Sequence, residues 1–345
     1  MHFLPSPALA LLAVGCALLT HASPLVTKDP AYTVPVSTLT SAITCPDGLT
    51  GAQIVLGVHG TSSTGSESWG SGPYRTILPH LSPRFDFCWV DLPSRALVDL
   101  QISAEYVAHA IHHLAPQSRS GKINIVSHSQ GGPDTQWALE WFPSTRALVH
   151  VFVANSPDFR GTQQLALLEP LLQTGVVPLS ASFYQQLSTS HMSTLSKNHA
   201  KGMGIARVKT VTLFSYTDEV VQPFPATGTL TGTLMKPPVS IQDVCPLYLA
   251  DHFLMIIAHP AFELTYQAFT HDGNIDRTKF DPARCTSYAD GSVFDFRSTV
   301  PYATAVLNDI LAIALEYKAP GEPKFRQYVC DRGAAGREMC GEGYF

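Results

Sequence analysis

The segment Ile123-Asn-Ile-Val-Ser-His-Ser-Gln-Gly-Gly132 constrains the fold more than any other part of the chain. An apolar run enters Ser129, with a small residue two positions before it (Ser127) and another two positions after it (Gly131). Beyond it, Asp134–Trp141 has helical spacing. A strand that turns directly into a helix around a serine leaves no room for bulk at those two offsets, which is the geometry of a nucleophile elbow. Glycine is usual at the first offset, and Ser127 stands there instead. Ser129 is the expected nucleophile.

The rest of the chain supplies a sheet to carry that turn. Short apolar runs at Ile54–Val58, Phe85–Val90, Ile123–Val126, Leu148–Ala154 and Val208–Phe214 read as buried strands, and Ala104–Leu114 has helical spacing. Strands alternating with helices predict an α/β protein with a mainly parallel sheet and helices on both faces. Ser23–Leu49, rich in Pro and Thr, reads as an irregular arm. Gly161–Ser193 holds a leucine-rich patch, Leu165–Leu172, that reads as a packed helix or an apolar flap, and Thr299–Tyr317 reads as an apolar helix. No repeat or linker divides the chain, so residues 23–345 are expected to form a single domain.

Composition narrows the classes. A 45% hydrophobic and 14% charged chain is not a disordered one. A net charge of −5 without a Lys/Arg cluster argues against a nucleic-acid partner. Ala8–Thr20 is apolar but too short to cross a bilayer, and small residues follow at Thr20-His21-Ala22, so residues 1–22 read as a signal peptide. Of the 7 cysteines, Cys16 falls within that segment. Cys45, Cys88, Cys245, Cys285, Cys330 and Cys340 remain, an even set suited to an oxidising, extracellular compartment, with the pairing open at this point. No cysteine–histidine spacing suggests a metal site.

A serine hydroxyl needs a base to become a nucleophile, and on this kind of scaffold the order is serine, acid, histidine. Asp218 stands just past the Val208–Phe214 run, with Glu219 as an adjacent rival that reads as solvated. Asp134, in the helix after the elbow, and Asp158 read as structural. His252, His259 and His271 follow Asp218, and His252, at the end of a short apolar run, is favoured over the other two. An oxyanion needs preorganised N–H donors. The amide of Gln130 is one candidate, and the loop Val58-His-Gly-Thr-Ser62 offers Thr61, with Gly60 allowing an unusual turn.

Together these segments resemble the fungal lipase B family of α/β-hydrolases. The likeness is carried by Val58-His-Gly-Thr-Ser-Ser-Thr-Gly65, by Ser129-Gln-Gly-Gly132 with Gln136-Trp137, and by Phe142-Pro-Ser-Thr-Arg146. It continues through Ser156-Pro-Asp-Phe-Arg-Gly161, Tyr216-Thr-Asp-Glu-Val-Val-Gln-Pro223 and Val244-Cys-Pro-Leu-Tyr-Leu-Ala-Asp-His252, in order, from about Cys45 to Cys340. The resemblance implies the α/β-hydrolase fold and a secreted serine hydrolase that cleaves carboxylic, lipid-type esters through an acyl-enzyme. It implies Ser129 as nucleophile, Asp218 as orienting acid, His252 as base, and Thr61 (amide and hydroxyl) with Gln130 as the oxyanion hole. It implies Asp158 as a buried carboxylate bracing the nucleophile loop, and disulfides Cys45–Cys88, Cys245–Cys285 and Cys330–Cys340.

The same resemblance places His128, Val220 and Ser62 at the substrate pocket. The family's type member has a tryptophan where this chain has His128, which is expected to leave a larger and more polar pocket on the alcohol side. Ser62 replaces a glycine and is expected to restrict the oxyanion loop. Leu165–Leu172 and Thr299–Tyr317 correspond to the family's mouth-lining elements and diverge most. The partners implied are a small-molecule ester or lipid, transiently a lipid interface, and no nucleic acid. A monomer with no metal or organic cofactor is expected. An acyltransferase or lactone-cleaving hydrolase would use the same triad, and a catalytically silent binding protein is the reading from another class.

Overall fold

A computed structural model describes residues 28–163, 180–187, 204–226, 228–288, 316–333 and 337–341. The expected signal peptide, the leucine-rich patch Leu165–Leu172 and residues 299–315 of the expected late helix lie outside them. The strands are β1 (Ile43–Thr44), β2 (Gln53–Val58), β3 (Phe85–Val90), β4 (Ile123–His128), β5 (Val149–Asn155), β6 (Thr210–Phe214) and β7 (Val239–Ser240). They form one sheet in the order β1-β3-β2-β4-β5-β6-β7. All pairings are parallel except that of β1 with β3.

The helices used below are α1 (Val36–Ser41), α2 (Gly65–Trp69), α3 (Pro73–Thr76), α4 (Leu100–Leu114), α5 (Gly131–Trp141), α6 (Ala181–Leu187) and α7 (His259–Thr270). The sheet is covered on both faces, which is why its strands read as nearly unbroken apolar runs. Ile54, Leu56 and Val58 of β2, with Ile123 and Ile125 of β4, join the core built with α4 and α5. Val55 and Val126 from the same strands point the other way, into a core with Trp69, Tyr74, Phe262 and Phe269. A period of two residues therefore divides each strand between two cores.

The arm expected to be irregular contains α1 and the edge strand β1, a difference that its two-residue strand length explains. The disulfide Cys45–Cys88 ties this arm to β3, and Cys245–Cys285 and Cys330–Cys340 complete the pairing that the resemblance implies. At the head of α4, Asp99 accepts from the Gln101 amide at 3.0 Å, an N-cap that satisfies one of the helix's orphan donors.

The parallel arrangement gathers the chemically interesting loops at one edge. Those following β2, β4, β6 and β7 all leave the carboxyl ends of their strands, where open α/β sheets bind ligands. β4 continues to His128, and α5 begins already at Gly131, so the connecting turn consists of Ser129 and Gln130. Gly131 is required there: a β-carbon at this position would lie 2.5 Å from the Val58 carbonyl oxygen and 2.7 Å from that of His59. The start of α5 thus rests directly on the backbone leaving β2. A Gly131→Ala variant is expected to lose about 1–3 kcal/mol of stability through overpacking, read by denaturant unfolding, and to lose most of the ester hydrolysis that the resemblance implies. Unchanged stability and activity would contradict this packing.

Candidate active site

Ser129 occupies the left-handed region with φ 54°, a conformation that costs an L-residue about 1–2 kcal/mol. The turn is held by Ser129 N donating to Asn155 O at 3.0 Å and Gly132 N donating to Ser129 O at 2.8 Å. Ser129 is 7% exposed. Opposite it lies Gly60, where a β-carbon would sit 2.8 Å from Ser129 Cβ. The loop after β2 can approach this closely only because residue 60 has no side chain.

Asp218 follows β6 and His252 follows β7, and the structure brings them together. His252 Nδ1 donates to Asp218 Oδ2 at 2.9 Å, and both residues are 2% exposed. Asp218 Oδ1 accepts from the amides of Val220 at 2.9 Å and Val221 at 2.8 Å, so the carboxylate is fixed from both sides. Burial alone would raise the Asp218 carboxyl, but the charge and hydrogen bond of His252, together with hydrogen bonds such as that from the Val221 amide, outweigh it and hold the carboxyl below its ordinary value. Burial alone would likewise lower His252. The Asp218 charge and hydrogen bond, with Glu219 and Asp158 adding, outweigh this and hold the imidazole above its ordinary value of 6.5. With Nδ1 protonated, Nε2 is left as the basic atom. Among the described residues no hydrogen bond joins Ser129 Oγ to His252 Nε2; such contacts often tighten only once substrate is bound.

His252 is also held through its backbone. Its amide donates to Glu219 Oε2 at 3.2 Å, so Glu219, read from sequence as a solvated neighbour, also supports the loop carrying His252. Its carbonyl oxygen lies 2.8 Å from His128 Nε2. The sequence suggests that His128 makes the pocket more polar, yet the ring's N–H is committed to that carbonyl. Burial, then the nearby His252, push His128 down to about 3, which keeps its ring neutral. His259 and His271 lie at the two ends of α7, and neither is joined to Asp218.

The loop after β2 is braced by groups the sequence does not announce. His59 is fully buried, with Nδ1 donating to Gly60 O at 2.8 Å and Nε2 accepting from Leu92 N at 2.9 Å. Ser62, at φ 62°, is clamped to Arg95: Ser62 N donates to Arg95 O at 2.8 Å and Arg95 Nε to Ser62 O at 2.9 Å. Arg95 itself belongs to a run of left-handed residues, Ser94, Arg95 and Ala96, with φ of 47°, 59° and 60°. Ser62 thus has a left-handed backbone locked by a second left-handed turn.

The Thr61 hydroxyl donates to Gln130 Oε1 at 2.6 Å, with Gln186 Oε1 of α6 also 3.0 Å away. Its amide alone is therefore available to a ligand without side-chain rotation. Gln186 Nε2 also donates to Gln130 Oε1, at 2.8 Å, and Gln130 Nε2 to Asp134 Oδ2 at 3.4 Å. The expected bracing by Asp158 is not made through hydrogen bonds. Both carboxyl oxygens are buried without a partner in another residue, and burial pushes the group up to about 6. Val220 contributes its backbone, its amide to Asp218 and its carbonyl to the Thr162 hydroxyl. Among the described residues no group of His, Cys, Asp and Glu could hold a metal ion.

This arrangement can do acyl transfer: a hydroxyl on a strained turn, an oriented imidazole, and a loop packed close against the serine. No protein-family model matches the chain. Lipase B of Pseudozyma antarctica is 34% identical over 245 residues, covering 67% of this chain and 68% of that protein. The crystal structure of Aspergillus fumigatus lipase B superposes with a TM-score of 0.71 at 27% identity, covering 94% of this chain and 77% of that one. The Bacillus licheniformis lipase BlEst2 structure shares the fold alone, with a TM-score of 0.52 at 17% identity over 66% of this chain and 52% of that one. On the identity and coverage of the first of these relatives, and on a seven-stranded, mostly parallel sheet with covering helices, this chain belongs to the lipase B family of serine ester hydrolases with the α/β-hydrolase fold.

Proposed function

We propose that the chain hydrolyses lipid-type carboxylic esters outside the cell, with Ser129 as nucleophile, His252 as general base and Asp218 as its orienting acid. The observation that carries this reading is the 2.9 Å contact between His252 Nδ1 and Asp218 Oδ2, on the sheet edge where Ser129 occupies its strained turn. Ser129 Oγ attacks the ester carbonyl carbon as its proton passes to His252 Nε2. The resulting oxyanion is bound by the amides of Thr61 and Gln130, each donor worth about 3 kcal/mol in reactions of this class. Collapse breaks the carbon–oxygen bond to the alcohol, which leaves with the proton from His252. Water then repeats the sequence on the acyl-enzyme, restoring Ser129.

Three disulfides suit an oxidising compartment, and no described helix is long and apolar enough to cross a membrane. The acyltransferase and lactone readings share every residue above, so products formed with competing alcohols separate them from simple hydrolysis.

Ser129→Ala is expected to lower hydrolysis of p-nitrophenyl esters and triglycerides of graded chain length by a factor of about 10⁴ or more, with the fold intact by circular dichroism. Retained activity on any ester of the panel would reject Ser129 as the nucleophile.

The pH profile supplies a second test. His252 must be neutral to accept the proton and is held above 6.5, so kcat/KM should rise with pH through a midpoint above that value. Asp218→Asn removes the main group opposing burial. It is expected to move the midpoint downward while cutting kcat by about 10³–10⁴. A midpoint that stays put in Asp218→Asn would show that another group controls the acid limb.

A further inference from the structure

His128 lies between the proposed nucleophile and the proposed base, in sequence next to Ser129 and in space against His252. Its ring is 6% exposed. It sits 4.8 Å from the His252 ring centroid at an interplanar angle of 42°. Nε2 is 2.8 Å from the His252 carbonyl oxygen. A carbonyl only accepts, so Nε2 carries the hydrogen, and a neutral imidazole has no second one. The tautomer is therefore set by the backbone of the residue it touches, and Nδ1 makes no hydrogen bond among the described residues.

The other hydrogen bonds of His252 come from one direction. Asp218 holds its ring and Glu219 its amide, and both belong to the loop after β6. That loop fixes how the imidazole is turned but does nothing to hold it to the end of β4, where Ser129 stands. Among the described residues the bond from His128 is the one that ties the His252 backbone to β4. Proton transfer is steep in distance, and a misplacement of about 1 Å can cost on the order of 100-fold in rate. A single bond across this gap is thus well placed to matter for catalysis while contributing little to substrate affinity.

We infer that His128 is a positioning residue: by donating from Nε2 to the His252 main-chain carbonyl, it holds the base segment at proton-transfer distance from the nucleophile elbow. The inference rests on the assignment of Ser129 and His252 made above. It gives His128 a task distinct from shaping the alcohol pocket, because the task resides in one N–H and not in the ring's bulk. Protonating the ring is not part of it, since the neutral form already supplies the required donor. Burial, with His252 and His59 beside the ring, keeps it neutral against the opposing pull of Asp218 and of the His252 carbonyl.

The test separates the donor from the bulk. His128→Phe keeps a planar ring and removes the N–H; His128→Gln supplies a terminal amide N–H of similar reach. The expected result is a kcat lower by about tenfold or more in His128→Phe, with KM within about twofold of wild type. His128→Gln should recover most of the loss, and melting temperatures should not track the kcat order. If the Phe variant does not fold, His128→Asn serves in its place, its amide being too short to reach, and should lose kcat where Gln keeps it. Wild-type kcat in His128→Phe, equal loss in Gln and Phe, or an effect confined to KM would overturn the inference. Ser129→Ala made in parallel distinguishes the two levels: if it stays active the assignment of the nucleophile fails, and if it is dead while His128→Phe is unimpaired only the tether fails.

Discussion

An imidazole and a carboxylate taken out of water together keep their ionisable character only if each offsets the other's lost hydration. In this chain that condition is met at one contact, His252 Nδ1 to Asp218 Oδ2 at 2.9 Å. Removing one partner of such a buried pair typically costs about 3–5 kcal/mol, so the loops after β6 and β7 are bound to one another by it. The amides of Val220 and Val221 complete the shell of Asp218, and Glu219 and His128 hold the backbone of His252. The placement of His252 is thus specified by groups on two separate segments, the loop after β6 and the end of β4. Parallel strands make this feasible, because their carboxyl ends bring distant stretches of chain to one edge.

The loop proposed to bind the oxyanion obeys a different logic, in which backbone strain replaces charge. Ser62, Ser94, Arg95, Ala96 and Ser129 all have positive φ without being glycine, at about 1–2 kcal/mol each. Such conformations persist only where surrounding bonds over-determine them. Here the bonds are the reciprocal pair between Ser62 and Arg95, and the ring of His59 spanning Gly60 O and Leu92 N. The result is a loop set in place before any ligand arrives, which is what the proposed oxyanion role would demand.

Much of this was legible in the sequence, for reasons that can be named. Strands buried on both faces leave continuous apolar runs, so β2, β3 and β4 stand out, and the small residues around Ser129 record the tightness of its turn. The pairing of Asp218 with His252 was accessible because the expected chain order serine, acid, histidine limits the choice. What stayed hidden depends on contacts with no local signature. Thr61 meets Gln186 across 125 residues, and no spacing rule links a threonine in one loop to a glutamine in a distant helix. The left-handed run Ser94–Ala96 contains no glycine or asparagine to advertise it. The short helix α1 and strand β1 lie in a stretch whose prolines and threonines suggest irregular chain, and they owe their order to packing and to Cys45–Cys88. His128 was visible as a departure from the family, but a pocket wall was the natural reading until its ring nitrogen was seen facing the backbone of His252.

The central claim is that the imidazole held by Asp218 serves the hydroxyl held by the turn after β4. A crystal structure of the chain reacted with an alkyl phosphonate ester tests it most directly. The account predicts phosphorus bonded to Ser129 Oγ, the phosphoryl oxygen at the amides of Thr61 and Gln130, and His252 Nε2 within hydrogen-bond reach of the serine oxygen or of the leaving-group oxygen. An adduct on any other side chain, or an adduct on Ser129 with the His252 ring turned away from it, would contradict the account.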